Sequence, residues 1–198
     1  MAEGPAPTEP RAPSPRTRGG KRTLLLIAAV TLTPVVASYT AYYLFPRAPA
    51  ANYGALMPTV PIPGIEGTRP DGSPFRLEDL RGRWVLVAHG GGDCDAGCER
   101  KLYATRQART MQGMEQDRVV RAWFVLGDTA PSAALLAQHP GLVVVRVPEA
   151  VPARFPGGAS PLYLIDPLGN LVLRYPDDPD IKGIAKDLTR LLKASRIG

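Results

Sequence analysis

The pattern of hydrophobic and polar positions divides the chain into a front part and a body. Residues 23–45, TLLLIAAVTLTPVVASYTAYYLF, contain no charged side chain. At a helical rise of about 1.5 Å per residue this segment is about 35 Å long, which is enough to cross the hydrocarbon core of a bilayer. The pattern therefore predicts one N-terminal transmembrane helix at residues 23–45.

Two other interpretations of this segment stay open. A cleaved signal peptide has an apolar region of only about 7 to 15 residues, although residues 48–50, Ala-Pro-Ala, have the small-residue spacing of a cleavage site. A buried core helix would be equally apolar, but a basic, proline-rich tail is an unusual neighbour for one. The membrane span fits the length of the segment best.

The body alternates short apolar runs with helical patterns. Five runs are typical of strands: WVLVA (84–88), VVRAWFVL (119–126), LVVVRV (142–147), PLYLID (161–166) and LVLRY (171–175). Three segments are typical of helices: 96–113, 131–138 and 178–195. This order predicts an α/β domain, a mixed sheet flanked by helices, with a parallel centre and an antiparallel hairpin at one edge.

Composition refines the boundaries around these elements. Thirteen of the 22 prolines lie in the first 74 residues, ahead of most of the predicted strands and helices. We expect a disordered tail at residues 1–22, because it has too few apolar residues to fold. Residues 46–64 have no sustained period and predict an extended tether. The folded domain is expected at residues 65–198.

The distribution of charged residues indicates the membrane topology rather than a charged ligand. Of the formal net charge of +6, the tail at residues 1–22 carries five basic and two acidic residues. Basic residues just before a span predict a cytoplasmic N-terminus, so in a bacterium the protein lies in the inner membrane with its C-terminal domain in the periplasm. The body intersperses both signs, which argues against nucleic acid as a partner.

The two cysteines of the chain lie in one motif, CDAGC at residues 94–98, between a predicted strand and a predicted helix. Ligand sites in α/β sheets lie at the carboxyl ends of strands, and a helix N-terminus lowers the pKa of a thiol. The acidic neighbours Asp93 and Asp95 act in the opposite direction. Cys94 and Cys98 can exchange between dithiol and disulfide, bind Cu(I), or form a static structural pair. All three interpretations stay open.

Other residues are candidate ligands. His89, at the end of the first predicted strand, is a candidate metal ligand, although a lone histidine there is more often structural. Met111 and Met114 carry soft thioethers that suit Cu(I), although helical methionines more often pack in a core. His139 lies in a predicted loop and is expected at the surface.

The segments FRLEDLRGRWVLV (75–87) and SPLYLIDPLGNLVLRY (160–175), together with the cysteine pair, resemble the thioredoxin-like superfamily. The spacing of CDAGC is similar to that of the Sco family, membrane-anchored copper proteins that help build the CuA centre of cytochrome c oxidase. The order of anchor, tether and domain is similar over roughly residues 23–195. The segments CERKLY (98–103) and DLTRLLKASRIG (187–198) resemble small membrane proteins encoded beside bacterial cytochrome oxidase assembly genes.

The resemblance implies roles for several residues. Cys94, nearer the helix start and expected to be the more exposed cysteine, would be the attacking thiol, and Cys98 the resolving one. Pro161, after Ser160, resembles the cis-proline that faces the cysteines in thiol oxidoreductases. The chain departs from Sco at Gly158, where a copper-binding histidine would stand, and at residue 95, where an aspartate replaces a proline.

The function that follows is an expectation. The resemblance implies a membrane-anchored factor that assists maturation of the copper site of cytochrome c oxidase, by thiol–disulfide exchange or by transient handling of Cu(I) through Cys94 and Cys98. Its partner would be an oxidase subunit or an assembly factor. The alternative is a non-catalytic thioredoxin-like module that docks on respiratory assembly factors and whose cysteines merely pair.

Overall fold

The structure is a computed structural model, and it describes residues 20–44, 52–62 and 64–195. The chain divides into two compact units, Met1–Pro49 and Ala50–Gly198. The predicted tail up to residue 19 lies outside the described residues. So do residue 45 of the predicted span, residues 46–51 and 63 of the predicted tether, and residues 196–198 of the predicted domain.

The predicted span forms helix α1, Gly20–Leu44, with Pro34 inside it. Residues 20–41 have a mean hydropathy of 1.9, and within the described ranges α1 is the one helix long and apolar enough to cross a membrane. The hydroxyls of Thr31 and Thr33 donate to backbone carbonyls one turn earlier, at 2.8 and 2.6 Å. These bonds satisfy the hydroxyls without water, as an apolar surrounding requires.

The second unit is built on one mixed sheet. Over residues 52–195 as described, its eight strands are β1 (Ala55–Pro61), β2 (Glu66–Thr68), β3 (Pro74–Arg76), β4 (Trp84–Gly91), β5 (Val119–Leu126), β6 (Leu142–Arg146), β7 (Leu162–Ile165) and β8 (Asn170–Tyr175). Their order is β1-β8-β7-β4-β5-β6-β2-β3. The central strands β4, β5 and β6 are parallel. Strand β7 pairs antiparallel with β4, β8 with β7, and β1 with β8. The predicted α/β layout is confirmed.

Three α-helices accompany this sheet in the described part of the unit: α2 (Ala96–Thr110), α3 (Ala133–Gln138) and α4 (Ile181–Ala194). Each begins after a polar N-cap residue, Asp95, Ser132 or Asp180, whose side chain accepts a backbone N–H of the first turn. The cap at Asp95 starts α2 shortly after β4 ends, at the carboxyl edge of the parallel strands.

Residues of the central strands alternate between two buried faces of the sheet. Leu86 and Ala88 of β4 pack in one hydrophobic cluster with Leu102 of α2 and Leu188 of α4. We call this side of the sheet the helix face. Both cysteines belong to the helix-face cluster.

The opposite side of the sheet carries a second cluster. Val85 and Val87 of β4 pack there with Phe75, Phe124 and Phe155, and we call this side the aromatic face. Side chains alternate along a strand, so successive residues of β4 face different clusters.

The predicted tether differs from the structure in its second half. Ala55–Pro61 forms strand β1, which pairs with β8. Pro58 and Pro61 favour a linker in the sequence pattern, but prolines are also tolerated on an edge strand, because one side of such a strand needs no backbone donors. Residues 66–76, to which the pattern assigns no element, contain the short strands β2 and β3. Strands of three residues are too short to show a period.

Candidate redox site

The two cysteines lie where β4 ends and α2 begins. The carboxylate of Asp95 accepts a hydrogen bond from the backbone N–H of Cys98 at 2.8 Å. The N–H of Cys94 donates to the Gly91 carbonyl at 3.0 Å. Cys94 has a φ of 44°, in the left-handed region that residues other than glycine seldom adopt. A tight turn therefore brings residue 94 beside the first turn of α2.

Cys94 and Cys98 form a disulfide, with their Cα atoms 5.2 Å apart. Both residues are buried, with relative exposures of 5% and 6%. The expectation that Cys94 is the more exposed of the two is therefore wrong. The reason is the turn at Gly91, which folds residue 94 back onto the helix-face cluster. Both cysteines are therefore largely enclosed in this oxidised state.

Gly90 has no side chain, and this leaves a small space next to the Cys98 sulfur. A Cβ atom at residue 90 would lie 3.2 Å from Cys98 Sγ and 3.4 Å from Trp123 Nε1. Trp123 lies on β5, beside Ala88 in the β4–β5 register. Its buried Nε1–H has no hydrogen-bond partner among the described residues. The Cys98 sulfur and an unsatisfied indole donor therefore border the same small space.

A buried lysine follows Cys98 by one helical turn. Lys101 is 8% exposed, and its Nζ donates to the backbone carbonyl of Ser160 at 2.6 Å. Within the described ranges no carboxylate forms an ion pair with it. Lysine is almost never buried unless it is paired, so a neutral carbonyl is an unusual sole partner.

His89 lies on the aromatic face, across the sheet from the cysteines. Its ring packs edge-on, at centroid distances of 5.5, 4.6 and 5.8 Å, against Phe124, Phe155 and Tyr163. Burial, with a smaller contribution from the Lys101 cation, lowers the pKa of His89 to about 4. The structure does not bring this candidate ligand to the cysteines. The reason is the alternation along β4, since the next residue, Gly90, is the one that borders Cys98.

Pro161 directly precedes β7. No peptide bond in the described ranges is cis, so the expectation of a cis-proline at Ser160–Pro161 is wrong. The Ser160 carbonyl accepts a hydrogen bond from the Lys101 ammonium. Gly158, where the resemblance places a copper-binding histidine, has a φ of 75°. Its carbonyl lies 2.8 Å from the donating hydroxyl of Tyr163. This loop offers backbone carbonyls and no metal-binding side chain at residue 158.

The remaining candidates lie away from the disulfide. Met111 and Met114 follow the far end of α2 from the cysteines and are exposed. His139 is buried at 6% exposure, so the expectation of a surface position is wrong. Arg106 of α2 binds the last carbonyl of α3 and draws this loop onto the domain. Burial, together with the Arg106 and Arg121 cations, lowers the pKa of His139.

Metal binding by a larger group of side chains finds no support in the described part of the chain. No cluster of three or more His, Cys, Asp or Glu residues occurs there. The cysteine pair is thus the one soft-ligand pair that the described residues bring together in the domain.

Sequence reasoning missed Lys101, Trp123 and Gly90 as parts of the site. A signal existed for Lys101, because residues three apart on a helix are neighbours. Trp123 carried no such signal. Its place beside β4 depends on the parallel register of β4 and β5, which the sequence does not display.

The fold and the site together define a thioredoxin-like domain, in which a cysteine pair lies at the junction of a central strand and the helix that follows it. The chain belongs to the family described as transmembrane-like, thioredoxin-like, C-terminal domain, whose family model matches residues 84–195. No curated protein matches the chain.

Several solved structures are similar to this domain. Copper-bound yeast Sco1 is 14% identical over 70% of this chain and 96% of its own, with a TM-score of 0.59. BsSco, a member of the Sco family of cytochrome c oxidase assembly proteins with an identified disulfide switch, is 16% identical over 69% and 96%, with a TM-score of 0.50. The thioredoxin domain of a thiol-disulfide oxidoreductase from Bacteroides vulgatus is 13% identical over 70% and 99%, with a TM-score of 0.51. At these identities the likeness shows the fold.

Proposed function

We propose that this protein is a membrane-anchored thiol–disulfide exchange factor that assists the assembly of cytochrome c oxidase. The observation that carries the proposal is the Cys94–Cys98 disulfide at the junction of β4 and α2. A disulfide across four residues closes a short loop and adds little stability through chain entropy. A chemical role explains it better than a structural one. The likeness to BsSco supports the choice of pathway.

Exchange proceeds in two steps. A partner thiolate attacks Cys94 Sγ, the S–S bond breaks, and its electron pair goes to Cys98 Sγ. A second partner thiol then attacks the mixed disulfide and releases Cys94. The partner loses two electrons and becomes a disulfide, while this protein gains them and becomes a dithiol. The reverse sequence reduces a partner disulfide.

Copper is a second candidate cargo, and the copper-bound state of yeast Sco1 favours it. In the reduced protein, Cys94 and Cys98 offer two soft sulfur ligands, which suit Cu(I). His89 lies on the other face of the sheet, and Gly158 has no side chain to offer. Any Cu(I) bound here is held by two sulfurs and passed on as cargo.

The proposed location is the bacterial inner membrane. Helix α1 supplies a single span, and Lys21 and Arg22 at its start favour a cytoplasmic N-terminus. The domain then lies in the periplasm, where disulfides form and persist. The proposed partner is an oxidase subunit or an assembly factor that carries thiols or copper near this side of the membrane.

Two measurements on the full-length protein in detergent test the function. The first is its redox equilibrium with glutathione, and the second is Cu(I) binding by the reduced protein against a competing chelator. We expect a reduction potential above about −300 mV, within reach of partner thiols. We expect stoichiometric Cu(I) binding that is lost in Cys94→Ser.

A potential below about −300 mV together with no Cu(I) binding would overturn the proposal. That outcome would support the alternative, a non-catalytic interaction module with a static disulfide. The burial of both cysteines is the observation that favours this alternative.

A further inference from the structure

Two buried donors near Cys98 lack an anionic partner. The indole Nε1–H of Trp123, a residue with no exposed surface, has no acceptor among the described residues. The ammonium of Lys101 is bound there only by the neutral Ser160 carbonyl. A buried donor without an acceptor is destabilising, and so is a buried charge without a counter-charge. Each group can therefore stabilise an anion that forms close to it.

The Trp123 donor lies beside the sulfur of Cys98. The position of a Cβ at Gly90 lies 3.4 Å from Trp123 Nε1 and 3.2 Å from Cys98 Sγ. Because residue 90 is a glycine, no side chain of its own separates the two. A disulfide sulfur is neutral and a weak acceptor, whereas a thiolate is an anion that an N–H donor stabilises.

Lys101 lies on the same face of α2 as Cys98. Residues three apart on a helix have Cβ atoms about 5–6 Å apart, which applies to Cys98 and Lys101 on α2. The antiparallel register of β4 and β7 pairs Val87 with Tyr163. Ser160, the partner of Lys101, lies two residues before β7 begins. The helical spacing thus places the stem of Lys101 beside Cys98, and the hydrogen bond to Ser160 holds its ammonium at the residue before Pro161.

Resting on the exchange function proposed above, in which Cys98 is the released sulfur, we infer that Trp123 and Lys101 stabilise Cys98 as a thiolate. A dithiol reductant attacks Cys94 Sγ, and the S–S electron pair passes to Cys98, which stays deprotonated. The second thiol of the reductant then releases Cys94. Of the two reductant protons, one ends on Cys94 and one goes to solvent, and the reductant becomes a disulfide.

Two further electrostatic effects, from the α2 helix dipole and from Asp95, act on a Cys98 thiolate. Cys98 is the third residue of α2, where the helix dipole favours negative charge. The Asp95 carboxylate, which accepts the Cys98 N–H, opposes it. These two effects have opposite signs, so each partly offsets the other.

Lys101→Met and Trp123→Phe test the inference in the full-length protein. Each removes a donor, so we expect each to shift the equilibrium with glutathione about tenfold toward the disulfide, equivalent to about 30 mV. In a Cys94→Ser background, we expect the pKa of the Cys98 thiol, followed by the ultraviolet absorbance of the thiolate, to rise by about one unit in each variant. Lys101→Arg keeps the charge and should restore most of the wild-type value.

Trp84→Phe and Lys182→Met are the matched controls. Trp84 has a buried Nε1–H without a partner in the described ranges, but it lies at the other end of β4, and Lys182 is exposed on α4. Neither should change the Cys98 pKa. The inference is overturned if Lys101→Met and Trp123→Phe leave both the pKa and the equilibrium at wild-type values. A wild-type reduction potential below about −300 mV would instead overturn the exchange function. In that case the pKa of Cys98 would still show whether the two donors stabilise the thiolate.

Discussion

Asp187 of α4 accepts a hydrogen bond from the backbone N–H of Gly54 at 2.8 Å, across 133 positions of sequence. Its other oxygen accepts the N–H of Tyr53 at 3.0 Å, and Asp187 itself has no exposed surface. Helix α4 thereby holds the residues that lead into edge strand β1.

Replacing this carboxylate should weaken the domain. Asp187→Ala leaves the N–H groups of residues 53 and 54 without their acceptor, so we expect the free energy of unfolding to fall by about 3 kcal/mol. Urea denaturation followed by tryptophan fluorescence measures it, because both tryptophans lie in the domain. The control is Asp178→Ala, which removes an exposed ion pair with Arg100 and should change stability by less than about 0.5 kcal/mol. Equal effects of the two substitutions would contradict the structural role of Asp187.

His89 should make stability depend on pH. Its pKa is about 4 in the folded protein, against about 6.5 in the unfolded chain, so the unfolded chain binds the proton first as the pH falls. The free energy of unfolding is therefore unaffected by His89 above about pH 6.5. It decreases as the pH falls toward 4, where His89 has lowered it by about 3 kcal/mol.

Unfolding free energies measured across this range in wild type and His89→Phe check that expectation. The phenylalanine cannot titrate, so the variant should show a shallower loss. His139 also has a lowered pKa and contributes in the same direction, so the comparison is best made in a His139→Gln background. Parallel pH profiles in the two proteins would show that His89 is not the group responsible.

Asp95 combines a structural and an electrostatic effect that two substitutions separate. Asp95→Asn keeps a side-chain acceptor for the Cys98 N–H but removes the negative charge, so it should favour the thiolate and raise the reduction potential. Asp95→Ala also removes the cap and should cost about 1 kcal/mol of stability. Glutathione equilibria and urea denaturation measure the two effects. A lowered potential in Asp95→Asn would refute the assigned charge effect.

Gly92 should be required for the turn that covers Cys94. A Cβ at residue 92 would overlap the backbone carbonyl of Thr129, which cannot move aside cheaply. Gly92→Ala should therefore destabilise the domain by about 1–3 kcal/mol and accelerate reduction of the disulfide by dithiothreitol. Gly91→Ala is the control, because its Cβ would meet only the Asp93 side chain. Reduction at the wild-type rate in Gly92→Ala would show that the turn does not limit access to the sulfurs.

Much of the fold could be predicted because its elements have strong periods. The apolar runs at residues 84–88 and 119–126 became the central strands β4 and β5, and the spaced apolar residues near the C-terminus became α4. Strand β1 was not predicted, because an edge strand with two prolines has the same local pattern as a linker. The buried position of His139 was not predicted either, because burial of a loop residue is decided by tertiary contacts such as the one between Arg106 and the neighbouring Gln138 carbonyl.

The sequence alone determined the apolar length of α1, the α/β order of the domain, and the placement of both cysteines between a strand and a helix. These properties are local, and spacing along the chain is enough to reveal them. Only the tertiary structure decided which groups share the site. The pairing of β4 with β5 set Trp123 beside the strand that leads to the cysteines, and a hydrogen bond joined Lys101 to Ser160. The alternation along β4 turned His89 to the other face. Such contacts join residues far apart in sequence, and strand register, which no local pattern displays, determines which of them form.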